Sequence, residues 1–231
     1  KNQRFIEGYN KFNRPNDEGG FDLNRYVWKK KKKYFKNVNN FICTSNWMFE
    51  RAKKSKLLQN KNIEKIPLTL DKNFWKPLDI KFCKNFFEIR EDEKVILFGA
   101  DNFLKNARKG FDVFKKIIEK IEIEKNFNYK ILLFGTDEKI NLKNFDKKII
   151  SLGTISDDYT LKLIYSAADV VVVPSTMESF GQVALEALHC GTPCVAFKET
   201  ALEDLIDHKI NGYLAENWSE DDLFKGTLWC L

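Results

Sequence analysis

Short apolar runs alternate with stretches of helical periodicity from about residue 93 to the end of the chain. Five of these runs predict strands: Lys94–Phe98, Tyr129–Phe134, Ile149–Leu152, Asp169–Val173 and Thr192–Phe197. The segments between and after them predict helices over Phe111–Glu124, Thr160–Ala167, Phe180–His189 and Leu202–Asp207, and a last helix beginning near Ser219. Because strands without polar alternation are buried on both faces, this order predicts a doubly wound, parallel α/β domain of Rossmann type.

The first third of the chain is more polar and less regular. Residues 1–25 predict loops, whereas residues 38–44 and 62–68 predict short strands. Ser45, directly after the first of these strands, predicts the N-cap of a helix. A linker then runs to Pro77, so we place a boundary between residues 1–77 and residues 78–231.

Composition narrows the class of protein. Hydrophobic residues make up 43% of the 231 positions, which is ample material for a core. No apolar run approaches the roughly 18 residues of a membrane span, and residues 1–20 lack the apolar stretch of a signal peptide. Five scattered cysteines suit a reducing compartment, so we expect a cytoplasmic protein. Because the chain opens without Met, we also expect it to be part of something longer.

The net charge of +6 fits an anionic partner, and its densest source is the run YVWKKKKKYFK at residues 26–36. Three interpretations of Lys29–Lys33 stand: a solvated face, a peripheral contact with anionic membrane lipid, or a nucleic-acid site helped by the flanking aromatic rings. The modest charge and the lack of a recognisable nucleic-acid module disfavour the third, so we expect no nucleic-acid partner.

The most informative segment is VPSTMESFGQVALEALHCGTPCVAF, residues 173–197. A buried strand ends at Val173, and a helix is predicted to begin near Phe180 or Gly181 after a short turn. Small residues in that turn leave backbone N–H groups accessible at the start of the helix. Since such a helix start attracts anions, a diphosphate could bind there. Cys190 and Cys194 have no second cysteine pair or histidine pair nearby, so we expect buried thiols and no metal site.

Two carboxylates, Glu178 and Glu186, flank the predicted helix start. On an ideal helix, eight steps place them about 12 Å and about 80° apart. That spacing exceeds the roughly 5–9.5 Å of paired glycosidase carboxyls, but it suits a ligand that spans a sugar, a diphosphate and a ribose. Two plainer interpretations remain. Glu178 can simply be a negative charge that the helix dipole stabilises at the N-terminus. Glu186 can be a buried carboxylate that is hydrogen-bonded by backbone groups or paired with a hidden Arg.

The same segment resembles the E-x7-E signature of retaining glycosyltransferases of the GT-B fold, the glycosyl transferases group 1 or family 4-like type. Residues 93–231 resemble the family's donor domain, and residues 38–77 resemble the end of its N-terminal domain. The resemblance implies two Rossmann-like parts. Residues 1–77 would be a remnant of the acceptor-side domain with its linker, and residues 78–231 a nucleotide-sugar-binding domain that lacks its last helix.

The resemblance also implies roles for individual residues. Glu178 would contact the hydroxyls of the donor sugar, and Glu186 those of the ribose. The remaining implied donor contacts are the backbone of Ser179, Phe180 and Gly181 at the diphosphate, Ser175 nearby, and Gly135 and Thr154 around the nucleobase. Lys109 and Arg108 would stabilise the leaving diphosphate. Many members have Gly-Arg after the first strand of this domain. This chain has Gly99-Ala100, so Arg108 or the Lys105–Lys109 loop would have to replace that arginine.

These observations together predict a hexosyltransferase. It would move a hexose from a nucleoside diphosphate sugar, UDP- or GDP-linked, to a hydroxyl of a glycan, lipid-linked or polysaccharide acceptor, with retained anomeric configuration. We expect neither a metal nor a cofactor. Two alternatives remain open: a fragment that binds the nucleotide sugar without turnover, and a basic surface protein that binds lipid or nucleic acid.

Overall fold

The structure is a computed structural model that describes every residue except 1, 2, 125, 141, 143, 144 and 146. The chain forms two units, Lys1–Leu68 and Thr69–Leu231, which are described separately below. The division lies nine residues before the predicted boundary at Pro77. Residues 69–77 join the second unit because Trp75, only 6% exposed, is part of that unit's core.

The first unit is a small α/β arrangement. Its elements are α1 (Arg4–Glu7), α2 (Leu23–Tyr34), a 3-10 turn (Phe35–Asn37), β1 (Asn40–Cys43), α3 (Asn46–Lys54) and β2 (Asn62–Lys65). Strands β1 and β2 pair in parallel. Both strands were predicted, and the cap is confirmed, because the Ser45 hydroxyl oxygen accepts a hydrogen bond from the N–H of Met48 at 3.1 Å.

The prediction of loops throughout residues 1–25 is wrong at two places. Helix α1 occupies Arg4–Glu7, and α2 begins at Leu23. The buried Arg4 guanidinium lies 2.5 Å from the Asp22 carboxylate, which itself caps α2 by accepting from the N–H of Arg25. This pairing across 18 residues fixes both helices, and no local sequence pattern reveals it.

A six-stranded sheet organises the second unit. Its strands are β3 (Lys94–Gly99), β4 (Tyr129–Phe134), β5 (Ile149–Ser151), β6 (Val170–Val173), β7 (Cys194–Phe197) and β8 (Gly212–Ala215). The strands lie in the order β5-β4-β3-β6-β7-β8, and every pairing is parallel. The doubly wound prediction is confirmed. The order reverses between β3 and β6, which is the point where such sheets bind ligands.

Helices cover both faces of this sheet. They are α4 (Ile80–Phe86), α5 (Phe111–Glu124), α6 (Asp158–Ala167), α7 (Gln182–His189) and α8 (Glu220–Cys230), with 3-10 turns at Ala107–Lys109 and Ala201–Asp204. Helix α5 has the predicted bounds. The helix predicted over Leu202–Asp207 is instead the second 3-10 turn, and α4 and β8 were not predicted. None of the described helices is both long and apolar enough to cross a bilayer.

Two apolar clusters form the core, one on each face of the sheet. Alternate side chains of β3 supply both: Val95 and Leu97 point to one cluster, and Ile96 and Phe98 to the other. All four are at most 1% exposed. The centre of the sheet is therefore rigid, and the loops at the carboxyl ends of β3 and β6 are held by a fixed scaffold.

Candidate active site

Two loops meet at the switch point of the sheet. Residues 100–110 follow β3, and residues 174–181 follow β6. The N–H of Thr176 donates a hydrogen bond to the carbonyl of Arg108 at 2.9 Å. Gly110 has a φ of +75°, and a Cβ built there would lie 2.1 Å from the Pro174 carbonyl oxygen. The loops therefore pack backbone against backbone, and a side chain at position 110 would separate them.

An ion pair joins these loops. Lys109 Nζ lies 2.7 Å from Glu178 Oε1, and the two side chains are 27% and 15% exposed. Lys109 ends the 3-10 turn, and the carbonyl of Glu178 accepts a hydrogen bond from the N–H of Ala201 at 3.2 Å. Lys109 and Glu178, which were both predicted to be catalytic, thus lie side by side although they are 69 positions apart in the sequence.

Arg108, the third predicted catalytic residue, is placed differently. Its side chain is exposed, and its Nε donates to Asn106 Oδ1 in the same loop at 3.3 Å. The contact with the neighbouring loop is made by its carbonyl group and not by its guanidinium. Lys105, the other candidate replacement for the missing arginine, lies 2.5 Å from Glu138.

The start of α7 provides the predicted amide-rich turn. Gly181 adopts a left-handed φ of +93°, so the helix begins at Gln182 and not at Phe180. A Cβ at Gly181 would lie 2.3 Å from Leu202 Cδ2, so both the conformation and the space select glycine. Since Gly181 has no side chain to cap the first turn, the N–H groups of that turn remain suited to an anion.

The other residues of this turn differ in exposure. Phe180 and Ser175 are buried, at 6% and 2% exposed, while Ser179 is exposed.

Glu178 precedes the helix, so the distance of about 12 Å between Glu178 and Glu186 that was derived from an ideal helix does not apply. That part of the sequence argument is wrong because it extended the helix through the left-handed Gly181.

Glu186 is a buried carboxylate with a partner inside the protein. It is 5% exposed on α7, and its Oε2 accepts a hydrogen bond from the Tyr165 hydroxyl at 2.8 Å. Burial raises the pKa of Glu186, and hydrogen bonds from Tyr165 and Gln182 oppose that rise. One oxygen of Glu186 is therefore satisfied within the protein, as the plainer interpretation predicted. Its partner is a tyrosine, however, and not the backbone group or Arg that the sequence suggested.

The loops after β4 and β5 are fastened to each other. The N–H of Gly135 donates to the carbonyl of Gly153 at 2.8 Å, and its own carbonyl accepts from Asn102. The N–H and hydroxyl of Thr154 both donate to the Asp137 carboxylate, at 2.7 and 3.0 Å. Sequence reasoning missed Asp137, although an acidic residue two positions after a strand-ending glycine is a signal for such a turn. Nucleobase contacts by Gly135 and Thr154 stay a prediction.

Two cysteines and one histidine in or near α7 have contacts typical of a structural role. Cys190 and Cys194 are free and buried, and burial raises the pKa of Cys190 to about 11. Such thiols stay protonated at neutral pH and are poor metal ligands. The Nδ1 of His189 lies 2.9 Å from the Leu185 carbonyl, one turn earlier in the helix.

The strand order, the switch point and its two loops define the second unit as a Rossmann-like α/β domain with a candidate anion site. Comparison with known proteins gives the family. Residues 93–231 match the family model described as Glycosyl transferases group 1, and the chain belongs to this family.

Relatives and solved structures agree with this assignment. An uncharacterized glycosyltransferase of Methanocaldococcus jannaschii is 36% identical over 132 residues, which cover 54% of this chain and 32% of that protein. Sucrose-phosphate synthase from Thermosynechococcus elongatus has a TM-score of 0.74 at 23% identity, covering 94% of this chain and 55% of the other. HepE of Anabaena, solved in complex with UDP-glucose, has a TM-score of 0.62 at 19% identity, covering 80% and 51%. These likenesses confirm the GT-B-type fold class. The chain spans about a third of the relative and about half of each solved structure.

Proposed function

We propose that this protein transfers a hexose from a nucleoside diphosphate sugar to an acceptor hydroxyl, with retention of the anomeric configuration. The observation that carries the proposal is the Lys109–Glu178 pair at 2.7 Å beside the glycine-initiated start of α7. A cation, a carboxylate and helix amides at one switch point match the three parts of a donor: its departing charge, its sugar hydroxyls and its diphosphate.

In this proposal each group has one task. The first-turn amides of α7 bind the diphosphate, Glu178 accepts hydrogen bonds from the sugar, and Glu186 accepts them from the ribose. When the bond between the anomeric carbon and the phosphate oxygen breaks, Lys109 stabilises the negative charge on that oxygen. The acceptor oxygen attacks the same face of the sugar and passes its proton to the departing phosphate.

The nature of the donor follows from the same chemistry. We propose UDP or GDP as the nucleotide, and the UDP-glucose complex of HepE supports testing UDP first. Lys109 supplies the positive charge at the diphosphate, so we propose that transfer needs no divalent cation. A chelator should then leave the rate unchanged, and strong inhibition that added Mg²⁺ reverses would contradict this part.

Donor binding is the first test of the whole proposal. We expect one nucleoside diphosphate among UDP, GDP, ADP and CDP to raise the melting temperature of the second unit's transition, and its sugar to be consumed when an acceptor is present. Binding without consumption would favour the alternative of a donor-binding chain without turnover. No binding by any of the four would refute the proposal.

The charge of the first unit supports a second partner. Residues 1–68 carry 17 Lys and Arg against 6 Asp and Glu, a net +11, whereas residues 69–231 carry 22 against 27, a net −5. A groove of about 740 Å³ in the first unit is lined by Lys29, Lys32, Lys33, Lys36, Lys56 and Lys61, and Glu7 is the one acidic residue among the described residues that line it. We propose that this face contacts an anionic membrane surface that carries a lipid-linked acceptor.

Vesicle binding tests this contact. The chain should sediment with vesicles containing phosphatidylglycerol but not with phosphatidylcholine alone, and the binding should fall with salt. Replacing Lys29–Lys33 with Gln should abolish it. The matched control replaces five exposed lysines of the second unit: Lys72, Lys139, Lys147, Lys209 and Lys225. Equal losses for both variants would show that net charge alone is responsible.

A further inference from the structure

Tyr165 is a buried polar side chain without a role in the proposed transfer. It lies in α6 and is fully buried, and its hydroxyl donates to Glu186 Oε2 at 2.8 Å. Burial and the neighbouring carboxylate raise the pKa of Tyr165 well above its usual value, so the phenol keeps its proton. It therefore acts as a hydrogen-bond donor toward Glu186.

The ring of Tyr165 is fixed from several sides. It packs edge-on against Phe134, with centroids 6.0 Å apart, and in a tilted arrangement against Trp75, with centroids 6.2 Å apart. Its carbonyl accepts a hydrogen bond from the Thr192 hydroxyl at 2.6 Å. Phe134 keeps its place because Gly99 has no side chain: a Cβ there would lie 1.9 Å from the Phe134 ring. The hydroxyl is thus delivered to Glu186 by a packed scaffold, without freedom to turn away.

Glu186 needs such help because it is itself buried. Burial raises the pKa of Glu186, and the hydrogen bond from Tyr165, together with the nearby Gln182 side chain, lowers it. The bond from Tyr165 occupies Oε2. It therefore ties that oxygen of Glu186 to α6.

We propose that Tyr165 is a positioning residue that holds Glu186 as an ionised acceptor for the ribose hydroxyls of the donor nucleotide. This inference rests on the proposed function, since it needs Glu186 to contact the ribose. It adds that recognition of ribose depends on a hydroxyl that never touches the ligand. The selectivity for ribonucleotides is then a property of the Tyr165–Glu186 pair and not of Glu186 alone.

The test compares nucleotides with and without ribose hydroxyls. Wild type and Tyr165→Phe are titrated by calorimetry with UDP, GDP and their 2′,3′-dideoxy forms. Wild type should bind one ribonucleotide at least about tenfold more tightly than its dideoxy form, the usual worth of a hydrogen bond to a charged group. Tyr165→Phe should reduce that ratio to about twofold or less. In transfer assays it should raise KM for the donor while kcat changes by less than about twofold.

Tyr129→Phe is the matched control. Tyr129 is also a buried tyrosine, and its hydroxyl lies 2.6 Å from a carboxylate, Glu122, but it lies at the start of β4, in the apolar cluster on the other face of the sheet. This variant should lose thermal stability and keep the full ribose preference. Gln182→Ala, at an exposed position one turn before Glu186, removes a side chain that also lowers the pKa of Glu186, and should lower the ratio without threatening the fold.

The outcomes separate the inference from the proposed function. If wild type binds none of the nucleotides, the proposed function fails and this inference fails with it. If wild type binds ribonucleotide and dideoxynucleotide equally, donor binding stands but Glu186 does not recognise ribose, and the inference is wrong. It is equally wrong if Tyr165→Phe and Gln182→Ala both keep the wild-type ratio.

Discussion

Lys109 Nζ and Glu178 Oε1 lie 2.7 Å apart, although 68 residues separate them along the chain. Without a donor, the cation proposed for the diphosphate and the carboxylate proposed for the sugar neutralise each other. Both side chains are partly exposed, and such pairs contribute only about 0–1 kcal/mol. A bound diphosphate can therefore draw Lys109 toward itself at little cost, and this leaves Glu178 free to accept sugar hydroxyls.

Replacement of Lys109 tests the charge that assists departure. Lys109→Ala should lower kcat by about 10²-fold or more, because it removes a fixed cation from the developing negative charge. The control is Lys115→Ala, which breaks a pair of similar length in helix α5, with Asp112 at 2.6 Å, and should leave kcat unchanged. Steady-state kinetics on both variants decide the matter, and a near-wild-type rate for Lys109→Ala would remove Lys109 from the mechanism.

The two glutamates should fail in different ways. Glu186→Ala should weaken nucleotide binding by about tenfold, since a buried acceptor for the ribose is lost. Glu178→Ala should mainly slow transfer, because its partner Lys109 and the helix amides still hold the diphosphate. Calorimetry with the nucleoside diphosphate and kinetics with its sugar separate the two effects. Equal losses in both measurements for both variants would contradict the division of roles.

Buried Glu186 should make stability depend on pH. Its pKa is raised in the folded chain, so its ionisation disfavours folding, and the stability it contributes below its ordinary pKa of 4.5 is lost as pH rises through the folded value. Glu186→Gln cannot ionise. The variant should melt above wild type at pH 8, and the difference should close by pH 4. Calorimetric scans from pH 4 to pH 8 measure the difference in melting temperature between the variant and wild type. A difference that stays constant over this range would contradict burial of Glu186 as its cause.

Close packing of the two loops makes Gly110 sensitive. Gly110→Ala forces a side chain into a left-handed position 2.1 Å from the Pro174 carbonyl, and we expect it to cost about 1–3 kcal/mol. Transfer should fall with it, since the Lys109–Glu178 pair would be pulled apart. Gly19→Ala meets no atom within 4 Å and should leave the melting temperature unchanged. Retained activity in Gly110→Ala would mean that the loop contact is dispensable.

Strands with continuous apolar runs were predictable, and those with mixed character were not. Lys94–Gly99 and Tyr129–Phe134 are buried on both faces, so composition alone identified them within one residue. Strand β8, Gly212–Ala215, has only four residues and takes its burial from its neighbour β7. Helix α2 was missed because five consecutive lysines conceal its periodicity.

The candidate site was also predictable only in part. Its residue types and their order indicated Lys109, Glu178 and Glu186, but which of them touch depends on loops far apart in the chain. The pair of Tyr165 with Glu186 could have been suspected, because a tyrosine in an apolar helix needs a partner for its hydroxyl. The packing at Gly99 was not predictable, because the Phe134 ring that it makes room for lies on the neighbouring strand β4.

That last contact has an evolutionary consequence. Positions 99 and 134 share one volume, so position 99 cannot gain a side chain while the Phe134 ring is in place. A side chain can be gained at position 99 by one of two routes. Either Phe134 is first replaced by a smaller residue, which leaves a cavity in the intermediate, or the intermediate carries a steric clash between the two side chains. The usual Gly-Arg of the family leaves the glycine in place and varies the next residue, where Ala100 stands in this chain.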